Sequence, residues 1–138
     1  MKKKILTFVM ALCLIIPAIF ALTGCKNEQL EKYAGKYVIS EYSISRNVIT
    51  REEYLASPEE YDNSDVEGWF AKELSLNSDG TFLDYQTNVS FGLSGTWSVE
   101  GQLIVMKIDG TKYMTLLIDS RNSLINNEND YTLTFTKI

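Results

Sequence analysis

The chain has 138 residues with 13 basic and 18 acidic side chains, two cysteines and no histidine. The missing imidazole excludes histidine triads, histidine metal ligation and imidazole acid–base chemistry. The acidic balance argues against nucleic acid, whose recognition begins with a basic footprint.

Lys2, Lys3 and Lys4 precede an apolar run from Ile5 to Leu22 that Pro17 interrupts. A basic start, an apolar segment of about 7–15 residues and small residues at its end describe a secretory signal. A membrane-spanning helix wants about 20 consecutive apolar residues. Behind the run stands Leu22-Thr23-Gly24-Cys25. This tetrad resembles the lipobox of bacterial lipoproteins. The resemblance implies removal of residues 1–24, diacylglyceryl attachment to the sulfur of Cys25, and an extracytoplasmic domain held on the cell membrane by its lipid. Two acyl chains hold a protein firmly where one does not. Cys13 falls in the removed segment, so acylation of Cys25 leaves a domain with neither disulfide nor free thiol.

Without Lys2, Lys3 and Lys4, 10 basic side chains face 18 acidic ones, a formal charge of −8. That balance argues against a polybasic grip on anionic lipid and leaves anchoring to the acyl group. Residues 25–34 read as lipidated cysteine plus tether, its nine residues after Cys25 reaching at most roughly 30 Å if extended. Residues 35–138 read as one domain.

Lys36–Ile44, rich in Tyr, Val and Ile, reads as the first strand. Ser45–Phe70 lacks strand character and forms an insert. It carries three Ser/Thr-x-x-Glu helix starts, at Thr50, Ser57 (followed by Pro58) and Ser64, which predict short helices or turns. A meander follows. Lys72–Leu76 and Thr81–Thr87 flank the turn Asn77-Ser78-Asp79-Gly80. Phe91, Leu93, Gly95, Trp97 and Val99 alternate with polar residues, predicting a strand with that face buried. Leu103–Ile108 and Lys112–Ile118 flank Asp109-Gly110, a favourable two-residue hairpin signal. A short strand near Ser123–Asn126 and a last strand at Tyr131–Lys137 complete the pattern. About eight strands with regular turns predict an all-β sandwich or an up-and-down barrel, and consecutive hairpins favour the barrel because closure removes exposed edges.

Gly35-Lys36-Tyr37, Asn77-Ser78-Asp79-Gly80-Thr81-Phe82 and Gly95-Thr96-Trp97 with Glu100-Gly101 resemble the small lipocalin-like domains of bacterial lipoproteins. The family opens its first strand with Gly-x-Trp; here Tyr37 holds that place and Gly-x-Trp falls at Gly95–Trp97. The resemblance implies an eight-stranded antiparallel barrel, a fold whose mouth can hold a small apolar ligand.

No phosphate loop or nucleophile elbow appears, and the expectation is a non-enzyme without cofactor or metal. Asp62, Asp65 and Glu67 lack the spacing of a calcium loop, and the acids of the insert read as helix-start residues. Asn88-Val89-Ser90 matches a glycosylation sequon and reads as loop polarity. Trp69 and Phe70 end the insert, where they would lid one barrel mouth. Glu41 falls by alternation on the face of Tyr37 and Ile39. With Tyr85, Trp97 and Tyr113, these residues make the candidate ligand set. Two functions stay open: binding of a small, partly apolar ligand under the insert, or a protein contact through the acidic insert above a filled barrel.

Overall fold

Period-2 alternation of apolar and polar residues fixes which face of each strand can be buried, and here the buried faces curl into one closed wall. The structure, a computed structural model, describes residues 28–61 and 65–138. The signal segment, Cys25 and the Ser64 helix start lie outside the described residues. A helix α1 (28–33) precedes β1 (Gly35–Ile44), β2 (Asn47–Thr50), α2 (Arg51–Ala56), a 3-10 turn (Pro58–Tyr61) and α3 (Asp65–Phe70). Then come β3 (Lys72–Leu76), β4 (Thr81–Gln86), β5 (Phe91–Glu100), β6 (Leu103–Ile108), β7 (Thr111–Ile118), β8 (Leu124–Asn127) and β9 (Tyr131–Lys137).

Each strand from β3 to β9 pairs antiparallel with the next, and β9 returns to β1 through Ile39↔Phe135 and Tyr42↔Leu133. The result is a closed eight-stranded, lipocalin-like barrel with one extra strand. That extra strand is β2. The other edge of β1 is divided, Gly35–Val38 pairing with β3 and Glu41–Ile44 with β2. The insert therefore does contain a strand, contrary to the sequence expectation. Its turn, Ser45-Arg46, has φ of 55° and 107° without the Gly or Asn that usually marks such a turn. Asp109-Gly110 supplies the expected version, with φ of 50° and 77°.

The barrel interior is filled. Tyr37, Ile39, Leu74, Phe82, Met106 and Phe135 are at most 2% exposed, and Trp97 is 4% exposed. An eight-stranded barrel is just wide enough for its side chains to meet in this way. At the base, α1 closes the barrel: Tyr33 is buried, and the Tyr37 hydroxyl donates to the Tyr33 carbonyl at 2.7 Å. Residues 28–33 are thus helical and packed, not an extended tether.

Two bulges re-aim side chains. In β1, Ser40 is the extra residue between Ile39↔Phe135 and Glu41↔Thr134. Its hydroxyl donates to the Thr134 carbonyl at 3.1 Å. The slip places Tyr42 inside and leaves Glu41 exposed, so Glu41 does not share the face of Tyr37. In β7, Tyr113 is the extra residue between Met106↔Met114 and Lys107↔Lys112, and its ring stacks on Phe82 at 5.9 Å.

The insert lies over the opposite end, the mouth. The Thr50 hydroxyl accepts from Glu53 N while the Glu53 carboxylate accepts from Thr50 N at 2.8 Å, the reciprocal cap that starts α2. Pro58 opens the 3-10 turn as expected. Arg51 Nη1 donates to the Phe70 carbonyl at 2.8 Å, satisfying the end of α3. Val66 and Phe70 enter the core, and Tyr54 stacks on Phe70 at 5.1 Å.

Candidate functional site

Three rows of paired residues descend the inner wall from the mouth. The outermost is Lys72↔Gln86↔Phe91, the next Leu74↔Asp84↔Leu93, and the third Leu76↔Phe82↔Gly95. The third row is apolar and packed, whereas the upper two place an ion pair inside the wall. Lys72 Nζ meets Asp84 Oδ2 at 3.2 Å, with the two side chains 18% and 7% exposed. The Tyr113 hydroxyl crosses from β7 to donate to that same oxygen at 2.7 Å. Burial pushes the Tyr113 phenol well above its ordinary range, and its hydrogen bond to Asp84 adds to the shift.

Space remains on both sides of Lys72. Inward lies a chamber of about 70 Å³ among Lys72, Asp84, Gln86, Phe91, Leu93 and Tyr113, room for little more than a couple of waters. Outward lies a cleft of about 420 Å³ between α3 and the β4–β5 hairpin. Asp65, Glu67, Gly68 and Trp69 form its helical wall, and Lys72, Gln86 and Asn88 its strand wall. The cleft falls within the range of small-ligand sites; the chamber does not. The Trp69 ring is held by Tyr131 at 5.1 Å and by the Lys72 ammonium 5.3 Å from its centre. Phe91 is 55% exposed at the rim, so the predicted buried face of β5 is buried only toward Trp97.

No family model, curated protein or solved structure matches this chain.

Of the candidate ligand residues, the structure brings Trp69 and Tyr113 to the two sides of Lys72. Phe70, Tyr37 and Trp97 are core residues, Trp97 donating its Nε1 proton to the Asn77 carbonyl at 2.9 Å. Tyr85 shares the outer face of β4 with Leu83, because the inward positions there are Phe82, Asp84 and Gln86. Glu41 is exposed on the far side of the bulge. The sequence reading missed Lys72, Asp84 and Gln86. Their signal was parity: Lys72 alternates with Leu74 and Leu76, and Asp84 and Gln86 alternate with Phe82, all on faces that must turn inward.

Asp65 and Glu67 stand in the first turn of α3, and Asp62 lies outside the described residues. Among the described residues no set of three carboxylate or thiol side chains is grouped to hold a metal ion, and no helix is long and apolar enough to cross a membrane.

Proposed function

We propose that the chain is an extracytoplasmic lipoprotein anchored to the cell membrane through Cys25, whose barrel presents a mouth cleft to a small, partly apolar ligand. The barrel is the rigid stand and the insert is one wall of the site. No catalysis belongs to this reading: the charged groups at the mouth hold one another and would orient a ligand. The observation that carries it is the location of free volume. The barrel interior is packed, while about 420 Å³ opens at the seam between insert and barrel, against Trp69. An aromatic wall with Lys72, Gln86 and two carboxylates at its edges suits a ligand with one flat apolar part and polar ends.

The test is native mass spectrometry of the full chain extracted in mild detergent, compared with Trp69→Ala. A co-purifying small molecule lost in the variant is the expected result. In the Trp97→Phe background Trp69 is the sole indole, and its fluorescence reports binding directly. No retained mass together with an unresponsive Trp69 defeats the reading.

A second reading draws on the exposed apolar side chains of the insert. Val48 is 55% and Leu55 62% exposed in an insert that also carries Glu52 and Glu59, a surface suited to a protein partner. Loss of partner capture on Leu55→Ser, with the mouth variants unaffected, distinguishes it.

A further inference from the structure

The acidic balance of the chain, 13 basic against 18 acidic side chains, hides a local excess of cations at the barrel base, the end opposite the mouth. A pocket of about 320 Å³ opens there between α1, the β7–β8 turn and the end of β9. Lys32, Arg121 and Lys137 line it, together with the polar side chains of Asn122, Ser123 and Thr136, and no carboxylate does. Among the described residues neither Lys32 nor Lys137 has a carboxylate partner, while Arg121 has only the contact to Asp119 at 3.5 Å. The lysines are nevertheless placed. The Lys32 ammonium rests 4.9 Å from the centre of the Tyr33 ring, and the Lys137 stem runs so close over Gly35 that a Cβ there would overlap its Cε.

Covalent geometry decides what this pocket would face. Cys25 is three residues before Glu28, the first described residue, and three residues reach at most about 10 Å. A lipid on Cys25 therefore holds the base, not the mouth, against the bilayer. We propose that this pocket takes the phosphate of an anionic phospholipid headgroup, fixing the barrel upright on the membrane with its cleft turned outward. The proposal rests on the reading of Cys25 as the lipid anchor. Each cation near an anionic surface strengthens contact about fivefold. Thr136 spends its hydroxyl proton on Ser40 Oγ at 2.8 Å, so the donors beside the cations that suit phosphate oxygens are the Asn122 amide and the Ser123 hydroxyl. A free phosphate offers the same oxygens; the headgroup is favoured because attachment at Cys25 brings the pocket to it.

Full chain reconstituted in vesicles is treated with an amine-modifying reagent and mapped by mass spectrometry. The vesicles are phosphatidylcholine, phosphatidylcholine with inorganic phosphate, or phosphatidylcholine mixed with phosphatidylglycerol. Lys32 and Lys137 are expected to be protected about fivefold or more only with phosphatidylglycerol, while Lys107 and Lys112 at the far end stay unchanged and report an intact fold. Arg121→Gln should cut that protection about fivefold. Equal labelling in all three vesicles, protection by inorganic phosphate alone, or undiminished protection in Arg121→Gln overturns the proposal. The mass of the N-terminal peptide in the same samples reports acylation of Cys25. An acylated but unprotected protein removes the headgroup site and keeps the anchor; a protected but unacylated one does the reverse.

Discussion

Lys72 Nζ and the Tyr113 hydroxyl both donate to a single oxygen of Asp84, at 3.2 and 2.7 Å. A carboxylate 7% exposed inside an apolar wall is costly unless its charge and lone pairs are met. The two donors meet them from β3 and β7, strands on different sides of the barrel. Their convergence ties the mouth together at the level where apolar packing stops.

Removing Lys72 alone should therefore hurt more than removing the whole cluster. Lys72→Met leaves Asp84 buried without its cation and is expected to cost about 3 kcal/mol in urea unfolding. Asp84→Leu with Lys72→Met and Tyr113→Phe removes every polar partner together, and should fall within about 1 kcal/mol of the parent. A triple variant less stable than Lys72→Met would show that the cluster contributes more than mutual compensation.

Gly95 is required by close approach. A Cβ there would overlap the Lys107 carbonyl oxygen and come within 2.8 Å of the Phe82 ring, which lies across from it in the third row. Gly95→Ala is expected to destabilise by about 1–3 kcal/mol as overpacking. Ser94→Ala, one residue away on the exposed face, should stay within about 0.5 kcal/mol. Comparable unfolding midpoints for the two variants would contradict this account.

Much of this arrangement was legible from alternation. Lys72–Leu76 is a strand at the bounds its residues predict, and Asp109-Gly110 and Asn77–Gly80 turn where their residues demand. What was not legible depends on single-residue slips and on chain closure. Ser40 and Tyr113 carry ordinary strand side chains, and nothing local announces that each is an extra residue; yet one slip exposes Glu41 and the other aims Tyr113 at Asp84. On β4, Leu83 and Tyr85 look like the apolar face. They face outward because Phe82 must pack on Gly95, a contact settled by the neighbouring strand and not by β4 itself. Likewise β2 was hidden because a short strand on a Ser45-Arg46 turn has no strong turn residue to mark it.

Trp69 joins insert to barrel through Tyr131 and Lys72, and its loss should be felt locally. An aromatic pair contributes about 0.5–1.5 kcal/mol and a cation–π contact about 0.5–1, so Trp69→Ala is expected to cost about 1–2 kcal/mol. Hydrogen exchange should show faster amides in Asp65–Phe70, with Leu103–Ile108 keeping its protection. Uniform loss of protection across the barrel would mean that the insert is part of the folding core and not a wall added to it.

The buried tyrosines predict an alkaline limit to stability. Burial pushes Tyr37 up to about 12 and raises Tyr42, Tyr113 and Tyr131 in the same direction. A phenol in the unfolded chain ionises near 10. Between these values the unfolded state has released protons that the folded state still holds, so stability falls as pH rises. For Tyr37 the stabilisation is whole below pH about 10 and is lost progressively toward about 12, on the order of 2–3 kcal/mol. Tyr37→Phe keeps the ring in the base but removes the ionisable group and its bond to the Tyr33 carbonyl. That variant should be less stable than the parent near neutral pH, by about 1 kcal/mol, and its stability should decline less steeply above pH about 10. Urea unfolding at stepped pH, followed by tyrosinate absorbance, checks both signs; parallel declines in parent and variant would remove Tyr37 as a source of the alkaline limit.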